Sequence, residues 1–160
     1  MSGSNVQISN MNPQTNQNEP QTNIELRIRT MRTLWFCLLA SVGSYYVFTV
    51  IVGRREGLEP NPTISLTLIC IAVLFVAAAF LIKSKLLSKA MEQQNTGMVQ
   101  QAYVMTWAIT EVAGLLGLLD FFLTNDPYYY VLLIIAALGL LLHFPRREHV
   151  VNAAFRGAVL

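Results

Sequence analysis

Residues 102–123 read AYVMTWAITEVAGLLGLLDFFL, with Glu111 and Asp120 as the run's two charges. A helix of roughly 20 residues crosses the ~30 Å hydrocarbon core of a bilayer, and this run has that length. Three other runs share its character. LWFCLLASVGSYYVFTVIV (34–52) and TISLTLICIAVLFVAAAFLI (63–82) carry no charge, and YYYVLLIIAALGLLLHF (128–144) carries only His143. The fourth lies at the low edge of the spanning range. Across the 160 residues, 54% are apolar and 12% charged, against about 25% charged in globular proteins. That leaves too little polar surface to enclose four such runs in water. The expected fold is therefore an all-α integral membrane protein, a four-transmembrane-helix bundle with a disordered N-terminal tail and a short C-terminal amphipathic helix. A net charge of +2 is too small to suggest nucleic acid, so the expected partners are the lipid bilayer and either a second copy or another membrane protein.

Three segments follow. Residues 1–21, rich in Asn, Gln, Ser and Pro, bury too little apolar surface to repay ordering entropy. Residues 22–144 hold the spans, with Thr22 and Glu25 at the spacing of a capping box. The first apolar run starts more than thirty residues in, which argues for a retained helix rather than a signal peptide. The second helix is expected to run past the membrane surface and stop at Gly97, a left-handed cap. Asn125 or Asp126 caps the fourth helix, with Pro127 in its first turn. Residues 145–160 form an interfacial helix with Val151, Ala154, Phe155 and Ala158 on one face.

Lys and Arg accumulate on the cytoplasmic side of membrane proteins. Arg27, Arg29 and Arg32, then Lys83, Lys85 and Lys89, then Arg146, Arg147 and Arg156 fall on one side, and only Arg54 and Arg55 on the other. Both termini are expected in the cytoplasm of an inner-membrane, multi-pass protein. Tyr128, Tyr129 and Tyr130 mark the outer interface and Trp35 and Phe36 the inner one.

Small and weakly polar residues let helices in lipid approach closely. Such stripes are Thr33, Cys37, Ala40, Ser41 and Ser44 in the first run, and Thr63, Thr67, Cys70 and Ala77 in the second. The third has Thr106, Thr110, Ala113, Gly114 and Gly117, and the fourth Ala136 and Gly139. They pack within one bundle or against another subunit. Cys37 and Cys70 stand at depths that differ by roughly 10 Å at 1.5 Å per residue, too far for a disulfide.

Glu111 is the intramembrane carboxylate. A centre-placed charge costs roughly 2.5–3.5 kcal/mol and each Leu or Ile returns about 0.5, so the helix still inserts. Glu111 shares a face with Trp107, Gly114 and Leu118 at the edge of the stripe that holds Thr110, and Ser41, Ser44 and Thr67 are hydroxyls within its expected reach. It either fixes register by hydrogen bonding or exchanges a proton or ion, and intramembrane acids are functional by default. Asp120, nine residues on and one turn from the outer surface, is expected to reach water. No metalloprotease, phosphate-loop, nucleotide or nucleophile-elbow pattern occurs, so no catalytic residue, metal or cofactor is expected.

AYVMTWAITEVAGLLGLL resembles the carboxylate helix of rotary ATPase ring subunits, which also set a Glu followed by Gly at mid-membrane. The glycine-repeat helix and polar loop of those subunits have no counterpart here. The whole chain resembles small four-helix bacterial membrane proteins of unassigned function. Trp107–Gly114 match their third-helix motif, with Val112 in place of a small residue, and Pro145, Arg146, Arg147 and Glu148 match the end that follows their fourth helix. That resemblance implies no particular activity. The expected function is a small non-enzymatic accessory or scaffold subunit of a membrane complex; the alternative is a proton- or ion-handling subunit using Glu111.

Overall fold

A computed structural model describes residues 15–53, 61–124 and 126–155, with side chains described over 24–154 of these. Five helices account for nearly all of it: α1 (Thr15–Val52), α2 (Pro62–Glu92), α3 (Thr96–Thr124), α4 (Tyr129–Leu142) and α5 (Arg147–Phe155). Among the described residues there is no strand. Ile24–Val52 of α1, together with α2 and α3, is long and apolar enough to cross a membrane; α4 reaches that standard only together with α5, across a 42° bend.

Helix α3 is the axis of the molecule and packs against all four others. Its buried face is Val99, Ala102, Tyr103, Thr106, Trp107, Thr110, Ala113, Gly114, Gly117, Asp120, Phe121 and Thr124, the small-residue stripe with large rings at the α5 end. The tightest approach is to α4: a Cβ on Gly139 would lie 2.6 Å from Thr110 Cγ2, and one on Gly117 would lie 3.1 Å from Leu132 Cβ. Ala136 and Gly139 are buried, so the stripes of α3 and α4 face each other.

The α2 stripe and all of the α1 stripe except the half-buried Ser41 face outward. Thr33, Cys37, Ala40 and Ser44 on α1, and Thr63, Thr67, Cys70 and Ala77 on α2, are all exposed. Helix α1 packs through larger residues instead, with Ile24, Ile28, Met31 and Val42 buried. Helix α2 packs through Ser65, Ala72, Ala79, Leu87 and Ala90, which are also buried. Small residues mark a face that can pack closely, and in these two helices a neighbouring face of the same helix meets the bundle. Both cysteines are free and exposed.

Several boundaries differ from the sequence expectation. Helix α1 begins at Thr15, seven residues before Thr22, because extending an established helix costs little compared with nucleating one. The remainder of the expected tail, residues 1–14, lies outside the described residues, as do the first loop at 54–60, Asn125 and residues 156–160. Gly97 is not the cap of α2. Gln94 takes the left-handed conformation, at φ 49°, and Gly97 sits in the first turn of α3. The reason is Asn95, whose Oδ1 accepts from Gly97 N at 2.9 Å and Met98 N at 3.3 Å, an N-cap bond that starts α3 at once. Asp126 acts just ahead of α4, its Oδ1 accepting from Tyr128 N at 3.1 Å. Helix α5 docks on the end of the bundle through Val150 and Ala153, both buried, one position off the expected Val151 and Ala154 face.

Candidate functional site

Glu111 lies half-buried between α3 and α1. Its Oε1 accepts from Ser41 Oγ at 3.0 Å and Tyr45 Oη at 3.1 Å, and Ser41 Oγ stands 3.0 Å from Tyr45 Oη. Ser41 and Tyr45 are one turn apart on α1, so both reach the same carboxyl oxygen. Gly114, three residues on, lies beside the site: a Cβ there would sit 3.4 Å from Val42 and Ala136 and 3.5 Å from Tyr45, ordinary contact distances. Of the expected neighbours, Ser41 and Gly114 are at the site. Ser44 and Thr67 are not, because both hydroxyls are exposed and return to their own helices, on Ser41 O at 2.7 Å and Thr63 O at 2.8 Å. Thr110 bonds Thr106 O at 2.9 Å and serves the α3–α4 contact. Trp107 faces the opposite end, where its Nε1 donates to His143 O at 3.0 Å.

The more deeply buried carboxyl is Asp120, which is fully covered rather than in reach of water. Ser65 on α2 donates to Oδ1 at 2.8 Å, and Thr124 Oγ1 lies 2.9 Å from the same oxygen. Asp120 Oδ2 is buried and, among the described residues, has no hydrogen-bond partner. Position along the helix axis put Asp120 near an end; its cover comes from α2, through a serine that belongs to neither assumed stripe.

At the other end of the bundle, an aromatic and basic cluster surrounds Tyr103. The hydroxyl of Tyr103 stands 2.6 Å from His149 Nδ1 on α5 and accepts from Arg146 N at 3.2 Å. Lys83 Nζ sits over the ring, 4.6 Å from its centroid. Burial first, and then the charges of Lys83 and Arg146, hold the His149 imidazole below its usual value, with Glu148 opposing. Nearby, His143 is fully buried with Nδ1 on Gly139 O at 2.6 Å, which makes Nδ1 the protonated nitrogen because a carbonyl only accepts. Sequence reading left this cluster unassembled, since its members come from α2, α3, the α4–α5 link and α5.

Among the described residues, no group of three or more His, Cys, Asp and Glu side chains could hold a metal ion. What the fold and these sites define is an all-helical bundle with three or four helices apolar enough to span a membrane and carboxyls at two levels of its central helix. Compared with protein-family models, curated proteins and solved structures, the chain matches none.

Proposed function

We propose that the chain is a small, non-enzymatic, multi-pass membrane protein that acts as an accessory or scaffold subunit, offering the outer faces of α1 and α2 to a neighbouring protein. The observation that carries this reading is the exposure of Thr33, Cys37, Ala40 and Ser44 on α1 and of Thr63, Thr67, Cys70 and Ala77 on α2. Small and hydroxyl side chains gain little from lipid, while a second helix can approach them closely and hydrogen-bond to them. Nine Lys and Arg against two, counted along the flanks, support an orientation with both termini on the cytoplasmic side of the proposed inner membrane.

The test uses the native cysteines, both free and exposed. Mild oxidation in whole membranes should cross-link the chain through Cys37 or Cys70 to a copy or to a partner that also co-purifies in mild detergent. Cys37→Ser and Cys70→Ser identify which face is used. A chain that stays monomeric, uncross-linked and alone would end this reading.

A second reading, a proton- or ion-handling subunit, draws on the open Oδ2 of the buried Asp120 more than on Glu111, which is tied to α1. Dicyclohexylcarbodiimide modifies protonated carboxyls in apolar surroundings. Labelling at Asp120 that abolishes a measurable ion flux would favour this reading; a chain with no flux to lose would remove it.

A further inference from the structure

We propose that the cytoplasmic end of the bundle binds the phosphate of an anionic lipid headgroup between Lys83, Arg146 and His149, against the Tyr103 ring. The inference rests on the membrane placement above and goes beyond the scaffold role.

The geometry comes first. Tyr103 holds the three basic residues together: Lys83 Nζ is 4.6 Å from its ring centroid, and its hydroxyl meets His149 Nδ1 at 2.6 Å and Arg146 N at 3.2 Å. The Arg146 backbone is thereby anchored while its guanidinium stays exposed. Lys83 directly follows the apolar run 63–82, the depth at which lipid phosphates lie.

The charge balance comes second. Lys83 is half-buried and makes no ion pair among the described residues. The one carboxylate close by in sequence on α5, Glu148, is exposed. Glu25 is already taken, its Oε1 2.8 Å from Arg147 Nη2. Lys83 and Arg146 repel each other and a protonated His149 across the one Tyr103 ring. Gathering cations this way is unfavourable unless an anion joins them, and basic pockets between transmembrane helices on the cytoplasmic side are where anionic headgroups bind. A phosphate diester would receive the ammonium and guanidinium directly, and the imidazole once protonated.

The experiment uses the full chain in mild-detergent micelles, with native mass spectrometry counting bound phosphatidylglycerol, phosphatidylcholine or inorganic phosphate. Phosphatidylglycerol should bind in preference to phosphatidylcholine. Lys83→Gln or Arg146→Gln should weaken it about tenfold, and Lys89→Gln, which removes an exposed charge from the same helix, less than twofold. Equal losses for Lys83→Gln and Lys89→Gln would overturn the site, and binding of inorganic phosphate without preference for the lipid would overturn the lipid assignment. The unaltered chain supplies a second readout: in phosphatidylglycerol nanodiscs the His149 titration midpoint should rise relative to phosphatidylcholine nanodiscs, and an unchanged midpoint would refute the proposal. Extraction of the chain by alkaline carbonate would instead strike at the membrane placement itself.

Discussion

Replacing Glu111 in two ways separates a packing role from proton exchange. Glu111 Oε1 takes hydrogen bonds from Ser41 at 3.0 Å and Tyr45 at 3.1 Å. Interhelical hydrogen bonds within membranes average about 0.6 kcal/mol and reach about 1.7. Glu111→Gln keeps a carbonyl oxygen in the same place, so both bonds survive and the stability change should be close to zero. Glu111→Leu removes both. Ser41 and Tyr45, 3.0 Å apart, can still bond each other, so the loss should be on the order of 1 kcal/mol by the same average. Tyr45→Phe should cost about 0.6 kcal/mol, and combined with Glu111→Leu it should show coupling of that size, because residues sharing one network are not additive. Reversible unfolding in mixed detergent and dodecyl sulfate micelles measures all four species. If Gln destabilises as much as Leu, or if Tyr45→Phe and Glu111→Leu simply add, the hydrogen-bonded link from α3 to α1 is not what holds Glu111. If Gln instead leaves the fold intact and abolishes a measured activity, proton exchange is its role.

Gly139→Ala should destabilise by about 1–3 kcal/mol through overpacking, since its Cβ would lie 2.6 Å from Thr110 Cγ2; adding Thr110→Ser, which removes that methyl, should recover most of the loss in the same unfolding assay. Ser65→Ala takes a donor from the buried Asp120 and should cost about 1–3 kcal/mol, whereas Thr67→Ala, an exposed residue bonded to its own helix, should be silent. Because the His149 affinity for protons is lowered in the folded chain, the unfolded chain binds more protons at low pH. The contribution of docked α5 is then complete above the ordinary His value of about 6.5 and is lost as pH falls through the lower folded value. A pH series of melting temperatures should show this decline, and His149→Gln should lessen it.

The helix positions were legible because the apolar runs are long and the charges that bound them few. The small residues at the α3–α4 contact, Thr110, Gly117 and Gly139, stood out as stripes, though nothing in the sequence paired the two helices. The stripes of α1 and α2 could not be assigned a partner, because a small-residue face states what could pack there and not whether the partner belongs to the same chain. Tyr45 was missed although it lies one turn after Ser41; aromatic residues in such a run read as apolar filling, and only the assembled pair shows both hydroxyls meeting Glu111. Asp120 was judged by its distance from the helix end, which carries no information about the angular cover that α2 provides. The Tyr103 cluster joins residues from four elements, and nothing local in any of them announces the others.

Helix α4 has 14 residues, about 21 Å at 1.5 Å per residue against a hydrocarbon core of ~30 Å. Its last carbonyls are met from the side, Leu140 O by the Trp35 indole N–H at 2.8 Å and His143 O by that of Trp107 at 3.0 Å. Two indoles on separate helices thus pin the end of α4 at a fixed height. In a bilayer this removes sliding as a response to changing thickness. The Trp35 bond also ties α1 to α4, so the two helices would have to tilt together or the surrounding lipid thin. Hydrophobic mismatch carries a cost for every ångström, and a helix of this length held at one height would meet the least of it in a thin bilayer.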